Sequence, residues 1–309
     1  MTVDLHTSLG EVTLANPVLV AAGCAGAGRE IGPLIDLAEL GALVTRSVTL
    51  DPCAGGPPPR AVETASGLLR QTDLQSAGLQ AFLATELPWL AQRGVRTVVS
   101  IAGRTLGEWA ELARRVGLSP GVTAVEVNLA WPPDSVAARD SYQAGKIVAA
   151  VRRDMPRGIP VLAKVAPEVH HVVDLARAVV KAGADVVVIG HGLPGLVLDP
   201  STLRPVLGGG AGALGGPAVH PVTLRCVWEV HAALPEVTLV GGGGVRSGFD
   251  ALAMLSAGAR AVQIGTTVLH DPGSPARILT ELHDELERRG ISNVADAVGL
   301  AHRPEGDPR

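Results

Sequence analysis

Aromatic residues and cysteine are both scarce in this 309-residue sequence. Phenylalanine, tryptophan and tyrosine together make up 2% of the chain, so the apolar content is mostly alanine, valine and leucine. The three cysteines, Cys24, Cys53 and Cys226, lie far apart. This spacing excludes the usual metal and iron–sulfur motifs and a disulfide framework. We therefore interpret the cysteines as free thiols and predict no metal site.

Long apolar runs and basic clusters are also missing. No uninterrupted apolar run approaches the roughly 18 residues that a membrane span requires. The first six residues lack the basic segment and apolar core of a signal peptide, so we expect a cytoplasmic protein without a membrane partner. The net charge of −4 and the lack of a basic stripe exclude a nucleic-acid-binding surface. The expected partner is a small-molecule substrate.

What the sequence does contain is a regular alternation of short β-branched runs with longer amphipathic stretches. Hydrophobic residues make up 47% of the chain, which is enough for one large core. The predicted strands are Pro17–Ala21, Ala42–Val48, Thr97–Ala102, Ala124–Asn128, Pro160–Val165, Val186–Ile189, Thr238–Gly241 and Ala261–Ile264. The predicted helices lie near 28–40, 77–93, 106–117, 141–154, 171–182, 217–233, 247–257 and 275–289.

The predicted strands are nearly continuous apolar runs, which is typical of a parallel sheet buried on both faces. Eight strand–helix units without a composition break predict one (β/α)8 TIM barrel domain over residues 1–309, with an open doubly wound sheet as the alternative. Residues 3–15 predict a short hairpin that closes the bottom of the barrel. Residues 192–216 form a long Gly/Pro-rich insertion after strand six. Residues 301–309 are expected to be a flexible tail.

Glycine-rich loops follow the seventh and eighth predicted strands, at Gly241-Gly242-Gly243-Gly244 and at Gly265-Thr266. In barrels of this kind, these loops commonly bind phosphate through backbone N–H groups, and glycine allows the backbone to approach closely. Tight turns without a ligand are the alternative interpretation. No GxGxxG follows the first strand, which argues against a Rossmann dinucleotide site.

Two polar residues stand at the ends of predicted barrel strands. Lys164 interrupts an apolar strand, whereas the two other lysines of the chain, Lys146 and Lys181, lie on predicted helices. A lysine at this end of a barrel strand faces the active-site mouth, with a structural ion pair as the alternative. Asn128 ends the fourth strand. Its amide can bind a planar heterocycle, with a turn-forming role as the alternative.

These residues bring out a resemblance that runs from Asn16-Pro17 to about residue 290. The sequence resembles the class 1 dihydroorotate dehydrogenases, which are FMN-dependent barrel enzymes of pyrimidine biosynthesis. The matching stretches are Glu39-Leu40-Gly41-Ala42, Arg46-Ser47-Val48-Thr49-Leu50, Pro57-Pro58-Pro59-Arg60, Ser100-Ile101-Ala102-Gly103, Gly216-Pro217-Ala218 and Gln263-Ile264-Gly265-Thr266.

The resemblance implies FMN as the cofactor and a homodimer as the assembly. Arg46 stands where the family has a lysine beside the flavin, which keeps the charge but not the shape. Lys164 would lie near the N1/O2 edge of the flavin and favour its reduced, anionic form. Carried over position by position, the FMN site falls on Ala21, Ala22, Gly23, Arg46, Ser47, Asn128, Lys164, Gly216, Gly243, Gly244, Gly265 and Thr266.

The substrate side of the same comparison departs from the family. The family's catalytic base is a cysteine in an Asn-Ile-Ser-Cys-Pro-Asn-like stretch, which here reads Asn128-Leu129-Ala130-Trp131-Pro132-Pro133. Trp131 takes the place of the base, and an indole N–H cannot accept a proton. A family segment that begins with an orotate-binding asparagine becomes Arg70-Gln71-Thr72-Asp73-Leu74. The Asn-Thr or Asn-Ser pair after strand six becomes His191-Gly192.

Arg70, Asp73, Trp131 and His191 are therefore predicted to form a pocket for a small polar or anionic substrate other than dihydroorotate. Arg70 would hold a carboxylate or carbonyl, and His191 would hydrogen-bond to the substrate or protonate it. Trp131 would stack on the substrate or merely fill the space of orotate. Arg70 and Asp73 could instead pair only with each other. Two other functions stay open, namely a non-catalytic relative and a non-redox lyase or isomerase that binds a phosphorylated substrate.

Overall fold

The structure, a computed structural model, describes residues 3–71, 73–131 and 140–304. Its strands are β1 (Thr7–Leu9), β2 (Val12–Leu14), β3 (Val18–Val20), β4 (Ala42–Val44), β5 (Ala61–Thr64), β6 (Gly67–Arg70), β7 (Thr97–Ile101), β8 (Val122–Asn128), β9 (Val161–Val165), β10 (Val186–Ile189), β11 (Leu193–Gly195), β12 (Gly212–Gly215), β13 (Thr238–Gly242) and β14 (Ala261–Ile264). Eight of them close into a parallel barrel in the order β3-β4-β7-β8-β9-β10-β13-β14. This confirms the predicted TIM barrel and rejects the open sheet.

The helices fill the connections between the barrel strands. They are α1 (Leu79–Ala81), α2 (Leu87–Gln92), α3 (Leu106–Gly117), α4 (Ser141–Asp154), α5 (Val172–Lys181), α6 (His220–Ala233), α7 (Gly248–Ser256), α8 (Thr266–His270) and α9 (Ser274–Arg288), with a π-helical turn at Phe82–Glu86. The helix predicted near 28–40 is wrong, because that segment contains turns and only a short 3-10 helix, Leu37–Glu39. Gly28, with φ +92°, and Pro33 interrupt a helical backbone there.

The barrel interior is a core of its own, separate from the layer between strands and helices. Side chains such as Leu19, Val98 and Leu162 point inward and are fully buried. Leu9 and Leu14 of the β1–β2 hairpin pack against this inner cluster. The hairpin predicted for residues 3–15 is thus confirmed, and its two leucines close the N-terminal end of the barrel.

A second sheet stands over the other end of the barrel. Strands β5 and β6 follow β4, and β11 and β12 follow β10, and the four pair in the order β11-β12-β6-β5. The insertion at 192–216 is therefore partly ordered as sheet, since Leu193–Gly195 pairs with Gly212–Gly215 and the latter with β6. We call this four-stranded unit the mouth sheet. It places the end of β6, and with it Arg70, beside the barrel mouth.

The chain beyond Leu300 differs in part from the predicted flexible tail. Leu300–His302 forms a 3-10 helix, and the His302 ring stacks on Trp228 with 5.1 Å between the ring centroids. His302 Nε2 also lies 3.1 Å from the carbonyl oxygen of Ala257. The prediction is thus wrong for residues 301 and 302, because these contacts hold them on α6 and α7, and residues 305–309 lie outside the described part. Among the described residues, no helix is long and apolar enough to cross a membrane.

Candidate active site

A closed ring of three polar side chains lies inside the barrel near its mouth. Lys164 Nζ donates to Gln263 Oε1 at 2.7 Å, and Gln263 Nε2 donates to Glu126 Oε2 at 2.7 Å. Glu126 Oε1 lies 3.5 Å from Lys164 Nζ, which completes the ring. The ion-pair interpretation of Lys164 therefore holds, and its place near the mouth holds as well. Neither Glu126 nor Gln263 was predicted to have a role beside Lys164.

Asn128 lies directly beside Lys164, because the two residues are register partners on β8 and β9. Its Nδ2 donates to Ser47 Oγ at 3.0 Å, and Ser47 Oγ lies 2.8 Å from Ser100 Oγ. Its Oδ1 accepts a hydrogen bond from Ala130 N at 3.2 Å. The amide thus both forms the turn after β8 and links the mouth to β4 and β7.

The glycine loops form a cradle of bare backbone. Gly243 and Gly244 have φ values of +116° and +70°. A Cβ on Gly243 would lie 2.6 Å from Thr223 Oγ1, and one on Gly244 would lie 2.8 Å from the carbonyl oxygen of Gly216. Only glycine suits such positions. Gly265 immediately precedes α8, which begins at Thr266. A Cβ on Gly215 would clash with Thr266 Oγ1, so the two predicted phosphate loops both lie beside the Gly215-Gly216 segment.

The loop after β3 meets the mouth sheet through Arg70. Arg70 Nη1 donates to the carbonyl oxygen of Gly23 at 3.1 Å, and Nη2 lies 3.8 Å from Cys24 Sγ. The start of this loop is held on β14, because Ala21 N donates to the carbonyl oxygen of Ile264 at 2.9 Å. Arg70 therefore lies against the segment that the resemblance assigns to the cofactor.

His191 completes this cluster, immediately after β10. The charges of Lys164 and Arg70 both act on it, and together with burial, the largest cause, they lower the pKa of His191 to about 4. His191 Nδ1 lies 3.4 Å from the carbonyl oxygen of Gly192, which can only accept, so Nδ1 carries the proton and Nε2 keeps a lone pair. A pKa this low favours the hydrogen-bonding role predicted for His191 over the protonating one, because burial and the two neighbouring cations favour the neutral imidazole.

The other two predicted pocket residues have different surroundings. Trp131 is 7% exposed, and the Arg104 guanidinium lies over its ring, 5.1 Å from the centroid. Asp73 does not pair with Arg70. Its Oδ2 accepts from Gln71 Nε2 at 3.1 Å, with Gly56 alongside, so the carboxylate belongs to the wall formed by the 51–56 loop. Thr72 and Pro132, Pro133, Asp134 and Ser135 lie outside the described residues.

Comparison with known proteins connects these features to a family. The family model for dihydroorotate dehydrogenase matches residues 4–286. The catalytic subunit of dihydroorotate dehydrogenase B (NAD(+)) from Desulforudis audaxviator is 42% identical over 308 residues, which is 99% of this chain and 100% of the relative. The chain belongs to the dihydroorotate dehydrogenase family. The protein of the same name from Geobacter sulfurreducens is 39% identical over 96% of this chain and 97% of its own length.

Among solved structures, the fold is shared with DHODH of Eimeria tenella, solved in complex with ferulenol. The TM-score is 0.80 at 22% identity, and the match covers 97% of this chain and 89% of the other. The dihydroorotate dehydrogenases are oxidoreductases that use FMN, so FMN is the expected cofactor of this chain.

The residues at the mouth fit FMN. Gly216, Gly243 and Gly244 all have positive φ values, as is common in backbone segments whose N–H groups bind phosphate. A buried ammonium and an amide, from Lys164 and Asn128, suit the polar edge of a flavin ring. Hydrophobic spacing alone could not identify Glu126 as part of this site. A charged residue inside an apolar strand, the same signal that identified Lys164, marks it as well.

Proposed function

We propose that this protein is an FMN-dependent oxidoreductase of the dihydroorotate dehydrogenase family whose substrate is a small polar or anionic compound other than dihydroorotate. The observation that carries the proposal is the cluster of Arg70, His191 and Lys164 at the mouth. Two of these are cations, and Arg70 has no carboxylate partner among the described side chains. An anion therefore gains both charge and hydrogen bonds there.

Each residue of the cluster has a distinct role in this proposal. When bound, FMN supplies hydride chemistry at its N5 atom. Arg70 holds a carboxylate or carbonyl of the substrate, and the neutral imidazole of His191 accepts a hydrogen bond through Nε2. By the resemblance, Trp131 would supply a flat apolar wall of the same pocket. Because Trp131 replaces the family's cysteine base, proton removal from dihydroorotate has no counterpart at that position.

Ordinary dihydroorotate oxidation is the second candidate, and the names of the relatives favour it. The deciding experiment mixes FMN-loaded protein with dihydroorotate without oxygen and follows flavin absorbance near ~450 nm. We expect no bleaching at a useful rate, with dithionite as the control that the flavin can be reduced. Rapid bleaching by dihydroorotate would reject the changed substrate and establish the second candidate.

Variants and ligands extend the same experiment. Trp131→Cys alone should not restore bleaching, because Arg70 and His191 still stand where orotate ligands are expected. A panel of small carboxylates and planar carbonyl compounds should contain at least one that changes the spectrum of the bound flavin. A protein that takes up no FMN would instead support the non-redox barrel, and one that binds FMN but no compound would support the non-catalytic relative.

The assembly belongs to the same proposal. By resemblance to the family, we expect one barrel domain per chain and two chains per particle. Light scattering coupled to size-exclusion chromatography tests this, since a particle of one chain mass of 31.6 kDa would contradict the dimer.

A further inference from the structure

Two charged side chains are buried in the described part of the chain, and they are neighbours. Glu126 is 0% exposed and Lys164 is 7% exposed. Burying one charge alone is costly, whereas two opposite charges compensate each other when their geometry allows it. The proposed function uses Lys164 and gives Glu126 no task. A carboxylate kept inside the apolar barrel therefore needs a physical explanation.

The register of the strands places Glu126 one step deeper than Lys164. Glu126 pairs with Leu162 on β9, and Asn128 pairs with Lys164, so the ammonium lies closer to the mouth. Below Glu126 the barrel is filled with apolar side chains such as Ala124 and Leu162. The Lys164 ammonium is thus the cation nearest to Glu126. A carboxylate placed further into the barrel would lie among these apolar side chains.

Only one oxygen of the carboxylate accepts a hydrogen bond in the ring. Glu126 Oε2 accepts from Gln263, whereas the buried Oε1 has no hydrogen-bond partner. Lys164 Nζ, at 3.5 Å from Oε1, donates to Gln263 instead. The ammonium has three N–H donors, so two remain for the mouth. Gln263 therefore connects the two charges, because it accepts from the ammonium and donates to the carboxylate.

We propose that Glu126 is the counter-ion of Lys164: it stabilises the charged form of the ammonium and, through Gln263, holds it at the mouth. Glu126 is thus a positioning residue, and the inference rests on the proposed function only for the identity of the ligand above Lys164. The alternative is a protonated, neutral Glu126 that merely fills space. Glu126→Gln distinguishes the two, because glutamine has the shape of the protonated acid and lacks the charge.

The scarcity of lysine makes a direct measurement possible. Protein grown with lysine labelled with 13C at Cε gives only three signals, from Lys146, Lys164 and Lys181, and Lys164→Met assigns the buried one. The full chain is titrated with and without added FMN. The quantity compared is the pH at which the Lys164 signal changes position in the wild type and in each variant. In Glu126→Gln the signal should change to the position of a neutral lysine at a pH at least about one unit lower than in the wild type.

Two variants serve as controls. Glu236→Gln removes the same charge from an exposed loop position and should leave the Lys164 titration unchanged. Glu126→Asp keeps the charge, so its Lys164 titration should be close to that of the wild type. If Glu126→Gln does not fold, Glu126→Gln/Lys164→Met replaces both charges. Recovery of folding in the double variant supports the counter-ion, and failure of both assigns Glu126 to packing and overturns the proposal.

A second readout concerns the cofactor. Without the carboxylate, the mouth is more positive, so the ratio of dissociation constants for oxidised and reduced FMN should rise about tenfold in Glu126→Gln. An unchanged ratio together with an unchanged Lys164 titration overturns the proposal. If the chain binds no FMN at all, the proposed function fails, but the titration without FMN still decides the role of Glu126.

Discussion

The two sides of the barrel mouth are built from different parts of the polypeptide. The cofactor side, around Gly243 and Gly244, consists mainly of backbone in conformations that leave no room for side chains. The substrate side consists of side chains, among them Arg70 and His191, carried on the mouth sheet and on the end of β10. By resemblance to the family, the first keeps most of the expected residues, with Arg46 as an exception, and the second departs from them.

This difference shows which kind of site can change within one fold. A cradle of peptide N–H groups depends on φ angles, so almost any substitution in it alters the backbone. A pocket wall of side chains can be exchanged while every strand keeps its register. We therefore expect damage on the cofactor side to affect FMN itself, and damage on the substrate side to affect ligands only.

The largest effect is expected from Gly243→Val. A Cβ there would lie 2.6 Å from Thr223 Oγ1, and valine disfavours a φ of +116°. The dissociation constant of FMN, measured by fluorescence quenching, should rise by a factor on the order of 100 as phosphate contacts are lost. Gly158→Val is the matched control, with a φ of +85° and open space around the Cβ. Equal FMN affinity in the two variants would show that the cradle is not part of the FMN site.

A change in pH should affect the stability of the folded protein through His191, which lies on the substrate side. Its folded pKa of about 4 lies below the ordinary 6.5, so between these values the folded protein binds fewer protons than the unfolded chain. Stability is then lost as the pH falls from about 6.5 to about 4, by at most about 3 kcal/mol. Urea unfolding at pH 7 and pH 4.5 should show a smaller loss for His191→Gln than for the wild type. His270→Gln, on the exposed end of α8, should lose as much as the wild type; equal losses in all three proteins would contradict the burial of His191.

Removal of the guanidinium at Arg70 should weaken anion binding without loss of FMN. For a carboxylate that perturbs the flavin spectrum, Arg70→Ala should cost about 1.5–3 kcal/mol of binding free energy, the usual contribution of a charged hydrogen bond. Arg204→Ala removes an exposed guanidinium from the insertion and should have no effect. If the carboxylate titrations were unchanged in Arg70→Ala, Arg70 would not be the residue that binds the anion in the pocket.

The smallest effect is expected at the edge of the substrate side. The Arg104 guanidinium carbon lies 5.1 Å from the centroid of the Trp131 ring. The Arg93 guanidinium carbon lies 4.2 Å from the centroid of the Trp89 ring, at the end of α2. Each Arg→Ala variant should lose about 0.5–1 kcal/mol of unfolding free energy. Of the two variants, only Arg104→Ala should also change the titration of the bound flavin with a carboxylate, because Trp131 is assigned to the proposed pocket and Trp89 is not. A ligand effect in Arg93→Ala would show that the titration reports stability rather than the site.

Strand positions were predictable because buried β-branched runs carry their own signal. All eight predicted barrel strands are present, and the N-terminal hairpin is where residues 3–15 placed it. The mouth sheet was missed, because its strands are short, partly exposed and rich in glycine, as Gly212–Gly215 illustrates. Such segments resemble turns until a distant partner, here β6, supplies the hydrogen bonds.

Site residues were predictable where chemistry depends on position along a strand, and not where it depends on neighbours. Lys164 and Asn128 stand together as expected. The direction in which Asp73 turns, towards Gln71 instead of Arg70, depends on a local backbone with φ +42°. The lowered pKa of His191 depends first on burial and then on the charges of Lys164 and Arg70, which come from distant segments, and no local pattern contains either cause.

The leucine-lined hairpin at the base of the barrel also bears on kinetics. With Leu9 and Leu14 filling the N-terminal end, molecules reach a group held among the strand ends only from the mouth. An electron donor and an electron acceptor that both have to touch that group would then bind at the mouth one after the other. Such an arrangement favours a ping-pong rate law, with parallel double-reciprocal lines, in which an excess of either reactant inhibits the half-reaction of the other.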